Sequence, residues 1–166
     1  MKKGFTLVEV LVAVSIMTII GWALVSVLKV ADTVWDADAG LMDLQQEVRQ
    51  VMDGMIREAR QAPADSIIVS NDGARVDFSI PSATGVISYY LNGKNLMREH
   101  PAGTSKVLAG DINKVVFGCV VGGAVSAVCE DADIFRIGLS ADKNVKGRVI
   151  SFPVSGVLTE QVRLRN

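Results

Sequence analysis

The chain has 166 residues, 49% hydrophobic, 21% charged and 5% aromatic, with a formal net charge of −1. That length suits one ordinary domain plus an appendage. There is no basic field of the kind that draws nucleic acid and no excess of rings for stacking, so no nucleic-acid partner is expected.

The first element is the apolar run from Phe5 to Leu28, 24 residues. As a helix it is about 36 Å long, enough to cross a hydrocarbon core of about 30 Å with some tilt. Lys2 and Lys3 precede it and Lys29 closes it. That leans the N-terminus toward the cytoplasm by a single charge. Glu9 lies inside the run, where a carboxylate costs about 2.5–3.5 kcal/mol deep in a membrane and less near an end. A secretory signal peptide cut after Ala37-Asp38-Ala39 fits poorly, because that match begins nine residues beyond Leu28 and the run exceeds a normal h-region. A plain single-span anchor explains the length and the lysines but leaves Glu9 without a partner.

The opening stretch Lys2-Lys3-Gly4-Phe5-Thr6-Leu7-Val8-Glu9-Val10-Leu11-Val12-Ala13 closely resembles the class III signal of type IV pilin-like proteins. The shared features are a short basic leader, Gly before Phe, then Thr-Leu-aliphatic-Glu and an apolar helix. The resemblance implies that a membrane-embedded prepilin peptidase cuts between Gly4 and Phe5 and methylates the new amine of Phe5. Residues 1–4 would then be the leader and 5–28 the transmembrane and assembly helix. It also implies that Glu9 pairs with the N-terminal ammonium of a neighbouring subunit in a filament. A buried pair of this kind suits the fixing of register, since a subunit docked one step wrong leaves both charges unpaired.

Beyond Lys29 the helix is expected to continue, over residues 29–62, into a head. Val30, Val34, Leu41, Leu44, Val48, Val51, Met55 and Ala59 recur on one helical face, while Asp43, Glu47, Arg49, Asp53, Arg57 and Arg60 fall elsewhere. Pro63 stops it. Gly21, Gly40 and Gly54 inside it suggest a local bend or melted turn.

From residue 63 to 166 the texture becomes short alternating runs broken by turn residues. Strands are expected at 66–70, 76–80, 86–91, 96–98, 114–121, 124–128, 134–139, 148–154 and 158–164, with Asn92-Gly93 as a tight hairpin turn. The expected fold is therefore α+β and pilin-like, a long N-terminal helix, membrane-spanning in its first half, packed on an antiparallel β-sheet head.

Cys119 and Cys129 flank Gly122-Gly123, on two arms of a hairpin or on one arm and its exit. With only His100 besides, they cannot furnish an ordinary zinc site. A disulfide is the better reading if the head lies outside the cytoplasm, and two buried thiols if it does not. Glu130, Asp131 and Asp133, with Asp142, form an acidic group that could take calcium, an ion some secretion pseudopilins carry. A solvated acidic loop is the stronger reading, since no EF-hand-like spacing is present, and no cofactor is expected. Lys143, Lys146 and Arg148, with Arg163 and Arg165, are too sparse a basic patch to argue DNA uptake. His100, before Pro101, has no nucleophile motif near it, and G-x-S-x-G, Walker A and H-E-x-x-H are all missing from the sequence. An enzyme is not expected.

The resemblance thus implies a structural subunit of a type IV pilus or type II secretion pseudopilus. Its implied partners are prepilin peptidase, sibling pilin or pseudopilin subunits, an assembly ATPase acting through an inner-membrane platform, and membrane lipid. It would sit in the inner membrane as a single pass with the head outside the cytoplasm, then in a filament in the periplasm or at the cell surface. The arginine-bearing stretch 41–62 resembles the second half of the helix in minor pilins and minor pseudopilins, which favours a minor role. The alternative is a single-span anchored protein whose extracytoplasmic β-rich head binds a ligand. Glu9 separates the two, being essential in the first and dispensable in the second.

Overall fold

A computed structural model of the chain describes residues 6–126, 129–130 and 132–164, the side chains of Asn71 and Val125 excepted. A single helix, α1 (Leu7–Ala59), runs 53 residues without interruption, about 80 Å at 1.5 Å per residue. No turn of it is melted at Gly21, Gly40 or Gly54. Thr6 caps its start and Arg60 its end, after which Pro63 carries the chain away in an extended conformation.

Ten strands follow among the described residues: β1 (Ile68–Ser70), β2 (Arg75–Ser79), β3 (Val86–Asn92), β4 (Asn95–Glu99), β5 (Ser105–Ala109), β6 (Ile112–Val121), β7 (Ala124–Ser126), β8 (Ile134–Val145), β9 (Arg148–Phe152) and β10 (Leu158–Arg163). They make two antiparallel sheets rather than one. The first is a meander in the order β1-β2-β3-β4-β5; the second runs β10-β8-β6-β7, with β9 also on β8. β6 pairs along β8 from Ile134 to Ala141, so the opposite edge of β8 is left to β10, on residues 134–139, and β9, on 141–145. These two short strands lie end to end along one long partner.

The strands depart from expectation in three places. Residues 64–66 form a 3-10 turn before β1. β5 was not foreseen, and β8 runs six residues past its expected end at Leu139 because Ala141 to Val145 gain β9 as a partner. Ala127 and Val128, expected at the end of a strand, lie outside the described residues.

The core forms where alternating inward side chains of both sheets meet the head-facing stripe of α1. Val76 and Phe78, Ile87 and Tyr89, and Phe135, Ile137, Leu139 and Ala141 are buried on their strands, the period of two that a half-buried sheet requires. Leu44, Val48, Val51, Met52, Met55 and Ala59 cover them from the helix. Each large side chain so buried is worth about 1.5–3 kcal/mol relative to exposure. The stripe starts later than expected, since Val30 and Val34 are exposed and Leu41 only half-buried. The head reaches down the helix only as far as Asp36.

Contacts along α1 fix the direction of the β8–β9 hairpin. Its tip residue Lys146 pairs with Asp36, Val145 and Ile150 meet Gly40, and Phe152 lies under the guanidinium of Arg49, 5.9 Å from ring centre to Cζ. Thirteen helical residues span about 20 Å, as do six extended ones. The hairpin therefore lies along the helix with its tip toward the N-terminal half. Gly40 makes this possible, for a Cβ there would stand 2.8 Å from Val145 Cγ2.

Cys119 on β6 and Cys129 in the loop before β8 are joined, with their Cα atoms 5.2 Å apart. The bond runs from one arm of the β6–β7 hairpin to its exit.

Candidate assembly site

From Leu7 to Val30 every residue of α1 is exposed, including Leu7, Val10, Leu11, Val14, Met17, Ile20, Leu24 and Leu28. No described part of the head covers this half. The helix is long and apolar enough to cross a membrane, and its polar side chains are matched to that setting. The hydroxyls of Ser15, Thr18 and Ser26 donate to the carbonyls of Leu11, Val14 and Trp22 at 2.8, 2.7 and 3.0 Å. Each is thereby satisfied within the helix, as a lipid solvent demands.

Glu9 occupies the third helical position behind the Thr6 cap, and the two residues form a capping box. The Thr6 backbone N–H and hydroxyl both donate to Glu9 Oε2 at 3.1 Å, and the Glu9 N–H donates to Thr6 Oγ1 at 3.3 Å. The carboxylate also sits in the first turn, where the helix dipole favours negative charge. So the partner that the sequence reading sought only in a neighbouring chain is supplied first by the chain itself. Thr6 was the residue overlooked, although T-x-x-E before an apolar run is a recognisable start signal. Both hydrogen bonds fall on one oxygen, and Oε1 has no partner among the described residues. Gly4 and Phe5, the expected processing pair, lie outside the described residues.

At the other end of the helix a polar cluster locks α1 to the first sheet. Glu58 Oε2 accepts from the Tyr89 hydroxyl at 2.7 Å and from Arg98 Nε at 3.1 Å, while Oε1 lies 3.1 Å from an Arg98 Nη. Burial, the bond to Glu58 and that carboxylate's charge together push the Tyr89 phenol well above its usual range. Burial lowers the Arg98 pKa, but the bond to Glu58 and its charge outweigh this and the net direction is up. Nearer the middle, Glu47 Oε1 accepts the Gly110 N–H at 3.0 Å. The cluster holds the head in place; its groups are spent on one another.

The other expected site residues are scattered. Glu130 and Asp133 are exposed and Asp131 lies outside the described residues; among the described residues no group of three His, Cys, Asp or Glu side chains could hold a metal ion. His100 sits in the β4–β5 turn with Nδ1 3.4 Å from the Val86 carbonyl. Of the basic residues, Lys146 is drawn to Asp36, which raises its pKa, and Arg165 lies outside the described residues.

The family description "prokaryotic N-terminal methylation motif" matches residues 1–25. No curated protein matches the chain. The matched family is a structural rather than an enzymatic one, and the exposed apolar helix that carries the motif suggests membrane anchoring. A methylation motif over residues 1–25 that runs into an unbroken helix of 53 residues, docked by its second half on antiparallel sheets, fits a type IV pilin-like protein.

Proposed function

We propose that the chain is a structural subunit, of the minor kind, of a type IV pilus or type II secretion pseudopilus. It is made as a single-pass inner-membrane precursor with the head outside the cytoplasm. Prepilin peptidase cuts it between Gly4 and Phe5 and methylates the Phe5 amine, and sibling subunits then take it up through α1 at the assembly platform. The observation that carries this reading is the Thr6–Glu9 box at the start of an apolar helix whose first half, residues 7–30, is wholly exposed. In the unassembled subunit the cap satisfies Glu9 and makes it tolerable in lipid. On assembly the open Oε1 receives the N-terminal ammonium of a neighbour, and the pair fixes axial register.

Full chains carrying Glu9→Ala and Glu9→Gln test this in cells, by the amount of protein recovered in sheared filaments. Leaving one member of a buried pair alone costs about 3–5 kcal/mol, so incorporation falls at least about tenfold while the head keeps its disulfide and its thermal midpoint. Undiminished incorporation would remove the role assigned to Glu9 and favour the plain anchor.

A further inference from the structure

Two glycines of α1 lie beside the head, and their surroundings differ. The missing side chain at Gly40 is used by this chain itself, as Val145 and Ile150 fill its place. At Gly54 nothing lies within 4 Å of where a Cβ would stand. A glycine in a helix interior destabilises it relative to alanine, and among the described residues no contact makes use of the one at Gly54. It opens instead onto a cleft of about 300 Å³ between α1 and β5, where Val51 and Met55 lie on the helix side and Lys106, Val107 and Leu108 on the strand side.

Among the described residues β5 ends its sheet and pairs only with β4. Its other edge therefore offers backbone groups where the strand is exposed, over residues 105–107, about 10 Å of strand. Ser105, Lys106 and Val107 are exposed, and Lys106 has no ion-pair partner among the described residues. The cleft lies at the lower limit for small-molecule sites, and its polar inner wall, Glu58, Tyr89 and Arg98, is already self-satisfied. An exposed strand edge, an apolar floor and a helix stripped of one side chain suit a backbone laid alongside.

The geometry points to β5 as a docking edge for an extended segment of a sibling subunit, added as a sixth strand and passing over Gly54. An apolar side chain of that segment rests on Val107 and Leu108, and an acidic one meets Lys106. This rests on the filament-subunit reading above.

The test uses the full chain with Val107→Cys on the docking edge and, as control, Val154→Cys on the exposed loop after β9. Cys119 and Cys129 are joined, so the introduced thiol is the one that reacts with maleimide. Labelling at Val107→Cys is expected to slow at least about tenfold between the detergent-solubilised chain and sheared filaments, with Val154→Cys unchanged. Gly54→Leu, which fills the cleft while improving helix propensity, is expected to raise the thermal midpoint by about 2–4 °C and to lower incorporation at least about tenfold. A role confined to folding would not move those two readings in opposite directions. Equal labelling of Val107→Cys in both states, in filaments that contain the chain, overturns the docking edge and leaves the filament reading standing. Absence of the unmutated chain from filaments overturns both. Slow labelling already present in the solubilised chain identifies a different occupant, lipid or small molecule, and likewise overturns the proposal.

Discussion

Gly40→Ala is the most informative single change in the head. The added Cβ would lie 2.8 Å from Val145 Cγ2 and 3.1 Å from Ile150 Cδ1. The isoleucine terminus can move aside, but Val145 is branched at Cβ and cannot withdraw Cγ2 without turning its whole side chain. Overpacking of this sort costs about 1–3 kcal/mol, and replacing a helical glycine by alanine returns about 1 kcal/mol. The net is a loss of about 1 kcal/mol, which for a chain of this size lowers the thermal midpoint by about 2–4 °C. Gly54→Ala meets open space and collects only the gain, so its midpoint rises by a similar amount. Thermal unfolding of the two full-length variants in one detergent, followed by near-ultraviolet circular dichroism, measures the difference directly. Val145→Ala added to Gly40→Ala removes the obstructing methyl and is expected to recover about 1 kcal/mol, a coupling that distant sites do not show. If Gly40→Ala stabilised the protein as much as Gly54→Ala does, the hairpin would not be seated on Gly40 and the derived head placement would fail.

Glu58→Ala leaves the Tyr89 hydroxyl and the Arg98 guanidinium without their shared acceptor; with Arg98 and Glu58 25% and 26% exposed, the loss falls in the lower part of the usual range, about 1–2 kcal/mol by urea midpoint. The raised pKa of Tyr89 has a definite sign for stability: the unfolded chain releases this proton near its ordinary value of 10.0 while the folded chain holds it. Stability from this group is complete below that pH and declines above it, by at most about 1.4 kcal/mol per pH unit. Tyr89→Phe is expected to be flatter than the parent when urea midpoints at pH 9 and pH 11 are compared; an identical slope would contradict the assignment. Reducing the Cys119–Cys129 bond, which closes a separation of 10 residues, is expected to cost about 2.7 kcal/mol in the chain-entropy account, read as a drop in midpoint with and without reductant.

The helix was legible because two signals agreed along its length, an unbroken apolar run and then a stripe at helical spacing ended by Pro63. The strands with clean alternation, such as 76–80 and 134–139, were legible for the same reason. β5 was not, since Ser105-Lys106-Val107-Leu108-Ala109 has no alternation and three of its residues face water. The second half of β8 reads as a polar loop, Ser140-Ala141-Asp142-Lys143-Asn144, and becomes strand only because β9 folds back onto it. Nor could spacing alone divide ten strands between two sheets, which depends on the sharp turn between β5 and β6, where Asp111 takes a φ of 55°. At the N-terminus the residue types were sufficient to single out Glu9, while its first partner, Thr6, was visible in the T-x-x-E spacing and overlooked. The glycines misled, for Gly40 serves a close approach rather than a melted turn.

The central claim, that this chain is processed and assembled as a pilin-type subunit, is tested most directly by the intact mass and N-terminal fragment spectrum of the protein isolated from its native membrane. The account predicts a chain beginning at Phe5 and carrying one added methyl group. A chain still beginning at Met1 would contradict it in favour of a plain anchor, and one beginning at Gly40 in favour of an exported soluble protein.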